Sequence, residues 1–161
     1  MTTGTMRLRE LTVRYTVKKD DAGQAVSVGR RVGSPKECAA AFAAVLQDQP
    51  SEVFAILCLS TKHRVIAYHE VSRGTLDTAI VHPREVFKAA ILANAAAIIL
   101  THNHPSGDPT PSEADIKVTR DLIRAGQLLK IEVLDHVILG RATPERAKDY
   151  ASLRELGYFY S

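Results

Sequence analysis

Two histidines, a serine and an aspartate are spaced in this sequence like the polar residues of a metal site. His102 and His104 flank Asn103, and a loop with three prolines separates them from Ser112 and Asp115. Zinc accepts imidazole nitrogen and carboxylate oxygen, and two histidines with one carboxylate leave its fourth tetrahedral position for water. This donor set predicts a catalytic site for one zinc ion, because structural zinc sites usually contain cysteine.

The local structure predicted around these residues would bring them together. Residues two apart in a strand point to the same side, so His102 and His104 would project together from the end of the strand predicted at 97–102. Pro105 favours an extended conformation for the residue before it. Ser112 is a typical N-cap for a helix whose first turn holds Asp115. We therefore expect both imidazoles and the carboxylate to meet where the strand ends.

Hydrolysis by a zinc-activated water also needs a base for the water proton and a donor for the oxyanion. Glu52, at the start of a near-continuous apolar segment, is the candidate base. Glu70 is the alternative base, and a surface position on its strand is its plainer interpretation. Ser112 is the candidate oxyanion donor, a role compatible with capping the helix.

Three further polar residues have structural interpretations. Asp135 shares strand parity with apolar neighbours, which favours a structural hydrogen bond in the core over a contact to a ligand histidine. His136 is predicted to point to the other face and not to bind metal. Asp108 suits a turn better than a role as a substitute ligand.

Predicted strands and helices alternate along the chain. The predicted strands cover residues 7–18, 24–30, 52–60, 64–71, 76–81, 97–102 and 131–139. The predicted helices run from Pro35 to about residue 49, from Pro83 towards residue 97, and from Ser112 to near Gly126, and the tail at 144–158 is partly helical. The class is therefore α/β (α+β), with helices flanking one sheet. We expect an N-terminal β-hairpin extension in residues 1–33 and one domain in residues 34–161.

Composition sets the limits on partners and location. The chain has 161 residues, 45% of them hydrophobic, which suits one globular domain. Its net charge of +3 comes without a dense basic run, so a weak association with nucleic acid is permitted but not predicted. Cys38 and Cys58 form no CxxC motif and fit a reducing compartment. With no signal peptide or membrane-spanning stretch predicted, the expected location is the cytoplasm.

The combined motif resembles that of a known family. HxHP at 102–105, then six residues and SxxD at 112–115, with a glutamate on an upstream strand, is similar to the JAB/MPN (JAMM) metalloprotease motif. The wider chain, over roughly residues 34–158, resembles the RadC-type branch of that family. The segments that carry this resemblance are 71–76, 81–88, 102–109, 111–112, 135–136 and 152–155.

The resemblance implies both a fold and a set of roles. The fold would be a cytidine-deaminase-like JAB domain, with a curved mixed sheet flanked by helices. One zinc ion would be bound by His102, His104 and Asp115. Glu52 would be the general base and Ser112 the transition-state stabiliser. The expected reaction is hydrolysis of peptide or isopeptide bonds in a peptide or protein substrate.

Three alternative functions are weaker. The first is a module of DNA repair or recombination that acts on or with nucleic acid. RadC-type proteins usually carry an N-terminal helix-hairpin-helix region, and residues 1–30 are predicted to be strands instead, which weakens this alternative. The second is zinc-dependent deamination, which needs HxE and PCxxC motifs that the sequence lacks. The third is a metal-binding scaffold without turnover, which nothing in the sequence favours.

Overall fold

The computed structural model of the protein describes Arg14 and residues 28–46, 49–74 and 81–160. Its elements, in chain order, are α1 (Pro35–Leu46), β1 (Val53–Leu59), β2 (Val65–Arg73), α2 (Pro83–Leu92), β3 (Ala97–Asn103), α3 (Glu113–Leu129), β4 (Glu132–Leu139) and β5 (Tyr150–Ser152). Most residues of the predicted strands at 7–18, 24–30 and 76–81, and therefore most of the predicted N-terminal hairpin, lie outside the described residues. No helix in the described ranges is both long enough and apolar enough to cross a membrane.

The strands form one five-stranded sheet in the order β2-β1-β3-β4-β5. β3 and β4 are parallel, and the other neighbouring pairs are antiparallel. Every residue of β1 and β3 is buried, as expected for central strands that are covered on both faces. The predicted fold class, a mixed sheet flanked by helices, is confirmed.

The sheet separates two hydrophobic cores. Phe42 of α1 packs with residues of one face, and Phe87 of α2 and Leu122 of α3 pack with residues of the other. Ile98 and Leu100 of β3 point towards α2 and α3. Because side chains alternate along a strand, the next residue of this series, His102, also faces α3.

Strand β4 contains a β-bulge at Leu134, between Val133 and Asp135. The bulge reverses which residues of β4 face each side of the sheet. Val133 packs in the core of α2 and α3, whereas Val137 packs in the core of α1. The predicted common side for Val133 and Asp135 is therefore wrong, because the bulge inserts one residue between them. After the bulge, His136 points towards α3.

The predicted end of α3 at Gly126 is also wrong, since the helix continues to Leu129 and stops at Lys130 in a left-handed conformation (φ 58°). A Cβ atom on Gly126 would lie 2.4 Å from the carbonyl oxygen of Ile131. Glycine is therefore present because the chain after the helix packs closely against it, not because the helix ends there.

The structure describes α1 from Pro35 to Leu46, and the next two residues, before its predicted end near residue 49, lie outside the described part. The C-terminal tail differs from the sequence prediction. The tail at 144–158 contains no helix, and its residues Tyr150–Ser152 form β5, which pairs with β4. This pairing satisfies the edge of β4, whose main-chain groups would otherwise lack strand partners.

Candidate metal centre

His102, His104 and Asp115 come together where β3 ends beside the first turn of α3. The Nε2 atoms of the two histidines are 2.9 Å apart. Nε2 of His102 lies 3.2 Å from Oδ1 of Asp115, and Nε2 of His104 lies 3.3 Å from Oδ2. Ligand atoms at zinc-bonding distances of about 2.0–2.2 Å in a tetrahedron are separated by roughly 3.3–3.6 Å. Three donor atoms of suitable chemistry are thus close enough to share one ion.

One oxygen of the Asp115 carboxylate takes part in the helix cap and also lies near His104, and the other lies near His102. Oδ2 accepts a hydrogen bond from the backbone N–H of Ser112 at 2.8 Å. Oδ1 is buried and accepts no hydrogen bond from the residues that the structure describes. A buried polar atom without a partner is costly and rare in folded proteins. A cation between Oδ1 and the imidazoles would satisfy it, so the residues present fit a metal.

His104 is oriented by the proline-rich loop that follows it. Its Nδ1 lies 2.7 Å from the backbone carbonyl oxygen of Asp108, which can only accept a hydrogen bond. Nδ1 therefore carries the proton, and in the neutral ring Nε2 presents a lone pair to the cluster. The Asp108 carboxylate accepts hydrogen bonds from Thr110, which fits the predicted turn.

His102 is oriented by two residues inside the core. Its Nδ1 lies 2.8 Å from Nε2 of His136, and Nδ1 of His136 lies 2.6 Å from Oγ1 of Thr119. His102, His136 and Thr119 are all fully buried. His136 therefore contacts the side of the His102 ring that faces away from the cluster, a role that the sequence prediction missed.

The electrostatics of the cluster favour a bound cation. Burial acts to raise the pKa of Asp115, but the adjacent imidazoles of His102 and His104 outweigh it and hold this pKa well below its usual range. Burial acts to lower the pKa of His104, but Asp115, the Asp108 carbonyl and the charge of Glu52 together raise it. Both shifts have one meaning: the carboxylate of Asp115 stays negatively charged, and positive charge at His104 is stabilised.

Glu52 lies just before β1, and its charge contributes to the raised pKa of His104. The side-chain amide of Asn103 binds the main chain on both sides of Glu52. Its Oδ1 accepts from the N–H of Val53 at 2.8 Å, and its Nδ2 donates to the carbonyl of Ser51 at 3.1 Å. The residue between the two histidines therefore fixes the segment that carries Glu52.

Ser112 forms the predicted N-cap of α3. Its Oγ accepts from the N–H of Asp115 at 3.1 Å, and its own N–H donates to Asp115 Oδ2, which completes a capping box. Because Oγ only accepts in this bond, the hydroxyl group of the exposed Ser112 can still donate its proton to another group.

Asp135 and Glu70 have partners away from the cluster. Asp135 accepts hydrogen bonds from Ser152 Oγ at 2.6 Å and from the backbone N–H groups of His136 and Arg154. The predicted structural hydrogen bond of Asp135 is confirmed. Glu70 forms a 2.8 Å ion pair with Arg73.

The roles of Thr119, Asn103 and His136 around the cluster were not predicted from the sequence. A signal for Thr119 was present, because it lies four residues after Asp115 on the same side of a helix. Asn103 has the opposite strand parity to His102, which predicts only that it lies on the other face of the sheet. Its bonds to the start of β1 depend on the pairing of β3 with β1. The contact of His136 depends on its place after the bulge in β4, which strand parity alone does not reveal.

A mixed sheet covered by helices on both faces, with a histidine–histidine–aspartate cluster at the end of a central strand, defines a JAB-type domain. Residues 32–158 match the family model described as RadC-like JAB domain. The chain belongs to this family.

Similar proteins support the assignment. A UPF0758 protein of Methanosarcina barkeri is 44% identical over 129 residues, which cover 80% of this chain and 54% of the relative. A UPF0758 protein of Caldanaerobacter subterraneus is 44% identical over 146 residues, covering 84% of this chain and 60% of the relative. One from Alkaliphilus metalliredigens is 51% identical over 110 residues, or 68% of this chain and 47% of the relative. The chain thus spans about half the length of these relatives.

Proposed function

We propose that this domain is a zinc-dependent hydrolase that cleaves a peptide or isopeptide bond in a peptide or protein substrate. The observation that carries the proposal is the convergence of three donor atoms: Nε2 of His102, Nε2 of His104 and the unpartnered Oδ1 of Asp115. Membership in a JAB-domain family is consistent with it.

The donor set favours zinc among the common metals. Neutral imidazole nitrogens suit zinc, whereas calcium and magnesium prefer sites made of oxygen ligands. Three protein ligands leave one tetrahedral position open, as catalytic zinc sites require. Bound zinc would supply a Lewis acid that polarises the scissile carbonyl and lowers the pKa of a water molecule.

Glu52 and Ser112 would handle the proton and the developing charge. The Glu52 carboxylate takes the proton of the attacking water and delivers it to the leaving nitrogen as the carbon–nitrogen bond breaks. The Ser112 hydroxyl donates a hydrogen bond to the oxyanion of the tetrahedral intermediate. Asn103 holds the main chain around Glu52, which keeps the base near His104.

The substrate would approach from the side of His104. The His104 side chain is 13% exposed, whereas those of His102 and Asp115 are each 1% exposed. Ser112 is also exposed. A carbonyl group arriving from solvent therefore meets His104 and Ser112 before it reaches the buried part of the cluster.

A peptide-library cleavage screen, with and without a chelator, tests the proposal. Wild-type protein should cleave some members, and the chelator should abolish cleavage. Glu52→Gln should keep stoichiometric zinc and lose turnover, because it retains the metal ligands but removes the base. His104→Ala should lose both zinc and turnover.

His69→Ala is the matched control, because His69 is an exposed histidine on β2. It should keep zinc and activity. Stoichiometric zinc in His104→Ala would contradict the ligand assignment. Wild-type turnover in Glu52→Gln would contradict the role of the base.

A further inference from the structure

A continuous chain of hydrogen bonds runs from the main chain of α3 to the buried ring of His102. Thr119 Oγ1 lies 2.6 Å from the carbonyl oxygen of Asp115 and 2.6 Å from Nδ1 of His136. Nε2 of His136 lies 2.8 Å from Nδ1 of His102. This series of hydrogen bonds therefore begins at Asp115 and ends at His102, which are both residues of the candidate metal centre.

The chemistry of these groups fixes the direction of every proton. A carbonyl oxygen only accepts, so the single hydroxyl proton of Thr119 must point at Asp115. The Thr119 oxygen can then only accept from His136, which places the proton of His136 on Nδ1.

A neutral His136 ring has one donor and one acceptor nitrogen. Its Nε2 is then the acceptor and takes a proton from Nδ1 of His102. The remaining nitrogen of His102, Nε2, is left with a lone pair that faces His104 and Asp115.

The surroundings of His136 keep its ring neutral. The residue is 0% exposed, and the ring of Phe54 packs edge-on at 5.5 Å between centroids. Its two ring nitrogens contact a hydroxyl group and another imidazole, neither of which is an anion. Burying a charged imidazole without an anionic partner in contact would be costly.

We propose that Thr119 and His136 are positioning residues that hold the proton of His102 on Nδ1, so that Nε2 is ready to bind a metal. The part of this proposal that concerns metal affinity rests on the proposed function. The part that concerns the tautomer of His102 can be tested without metal.

Replacing Thr119 with valine would remove the acceptor that sets this direction. Nδ1 of His136 would then carry a buried proton without a partner, which is costly. The alternative is to move that proton to Nε2, where it can be donated to His102. The His102 proton would then move to its own Nε2 and would have to leave before a metal could bind.

The test compares Thr119→Val with Thr119→Ser, which keeps the hydroxyl group. Zinc affinity is measured by competition with a chromophoric chelator, and the tautomer of His102 by nitrogen-15 NMR of the metal-free protein. Thr119→Val should weaken zinc binding about 10–100-fold, the range seen when partners of metal-bound histidines are lost. It should also shift the His102 proton towards Nε2. Thr119→Ser should restore wild-type values of both quantities.

Thr101→Val is a matched control. Thr101 is equally buried on β3, and its hydroxyl donates to the carbonyl of Val137 at 2.9 Å, outside the hydrogen-bond chain of His102. A loss of zinc affinity that merely reflected one missing buried hydrogen bond would therefore be the same in Thr101→Val and Thr119→Val. We expect it in Thr119→Val alone.

The outcomes separate the two proposals. If folded Thr119→Val binds zinc as tightly as wild type, or if its His102 keeps the proton on Nδ1, the positioning role is wrong even though the zinc site stands. If wild-type protein binds no zinc, the proposed function fails, and the NMR comparison still decides the role of Thr119 and His136.

Discussion

The two histidines of the cluster are held by different parts of the molecule. His102 lies within β3, is fully buried, and is bound through its ring to the side chain of His136. His104 follows the strand, is partly exposed, and is bound through its ring to a loop carbonyl. One candidate ligand is thus positioned by the hydrophobic core and the other by a surface loop. The buried half of the site therefore depends on packing inside the core, and the partly exposed half depends on the loop.

The loop itself is held by close packing against the end of β4. The carbonyl oxygen of Gly107 accepts from the N–H of Arg141 at 2.7 Å and from Nη2 of Arg146 at 2.9 Å. A Cβ atom on Gly140 would lie 2.4 Å from the same oxygen. The position of the His104 partner therefore depends on a glycine more than thirty residues away.

Removing the group shared by both histidines should have the largest effect. Asp115→Ala should abolish stoichiometric zinc binding, because it removes a ligand that contacts both imidazoles. It should also lower the free energy of unfolding by about 1 kcal/mol, because the capping box of α3 is lost. Metal analysis and thermal unfolding measure the two effects. Asp121→Ala, on an exposed position of the same helix, should change neither, and equal effects of the two variants would argue against the assignment.

A substitution that acts on the loop alone comes next. Gly140→Ala should displace the Gly107 carbonyl and destabilise the protein by about 1–3 kcal/mol, the usual cost of overpacking. Zinc affinity should fall while the tautomer of His102 stays unchanged, because only the His104 side moves. Chelator competition and NMR measure the two. Gly33→Ala is the control, since its Cβ would meet only the Glu37 carboxylate at 3.5 Å, and unchanged zinc affinity in Gly140→Ala would contradict the role of the loop.

The pH dependence of zinc binding should be the smallest of the three effects. The pKa of His104 is raised above the usual imidazole value of about 6.5. Below this raised pKa, protons compete with zinc for the ring. As pH rises through this raised pKa, His104 loses its proton and zinc affinity should increase, then level off. Glu52→Gln should move this rise to lower pH, because the charge of Glu52 stabilises the protonated ring. Competition titrations across this range provide the measurement, and a rise that Glu52→Gln leaves in place would show that Glu52 does not act on His104.

Much of the fold followed from local sequence patterns. Three signals act through nearby residues: the apolar segment of β1, the proline at the start of α2 and the serine before α3. The three elements that they predict are present. The candidate metal centre was predictable for the same reason. Its two histidines lie at one strand end and its aspartate lies in the first turn of one helix, so only these two elements had to be predicted.

The missed features depend on contacts between distant segments. The bulge at Leu134 arises in the pairing of β4 with β3, so it could not be inferred from β4 alone. Glycine is typical of helix ends, and only the close approach of Ile131 explains why Gly126 lies inside the helix. β5 pairs with an edge that a helical interpretation of the tail left open.

A crystal structure of the zinc-loaded protein, with the metal located by anomalous scattering at the zinc edge, tests the central claim most directly. We predict one zinc ion bonded to Nε2 of His102, Nε2 of His104 and a carboxylate oxygen of Asp115, with bonds of about 2.0–2.2 Å. Nδ1 of each histidine should still be hydrogen-bonded to His136 or to the loop carbonyl. Zinc bound through Nδ1, or bound elsewhere while these three residues remain without metal, would contradict the account.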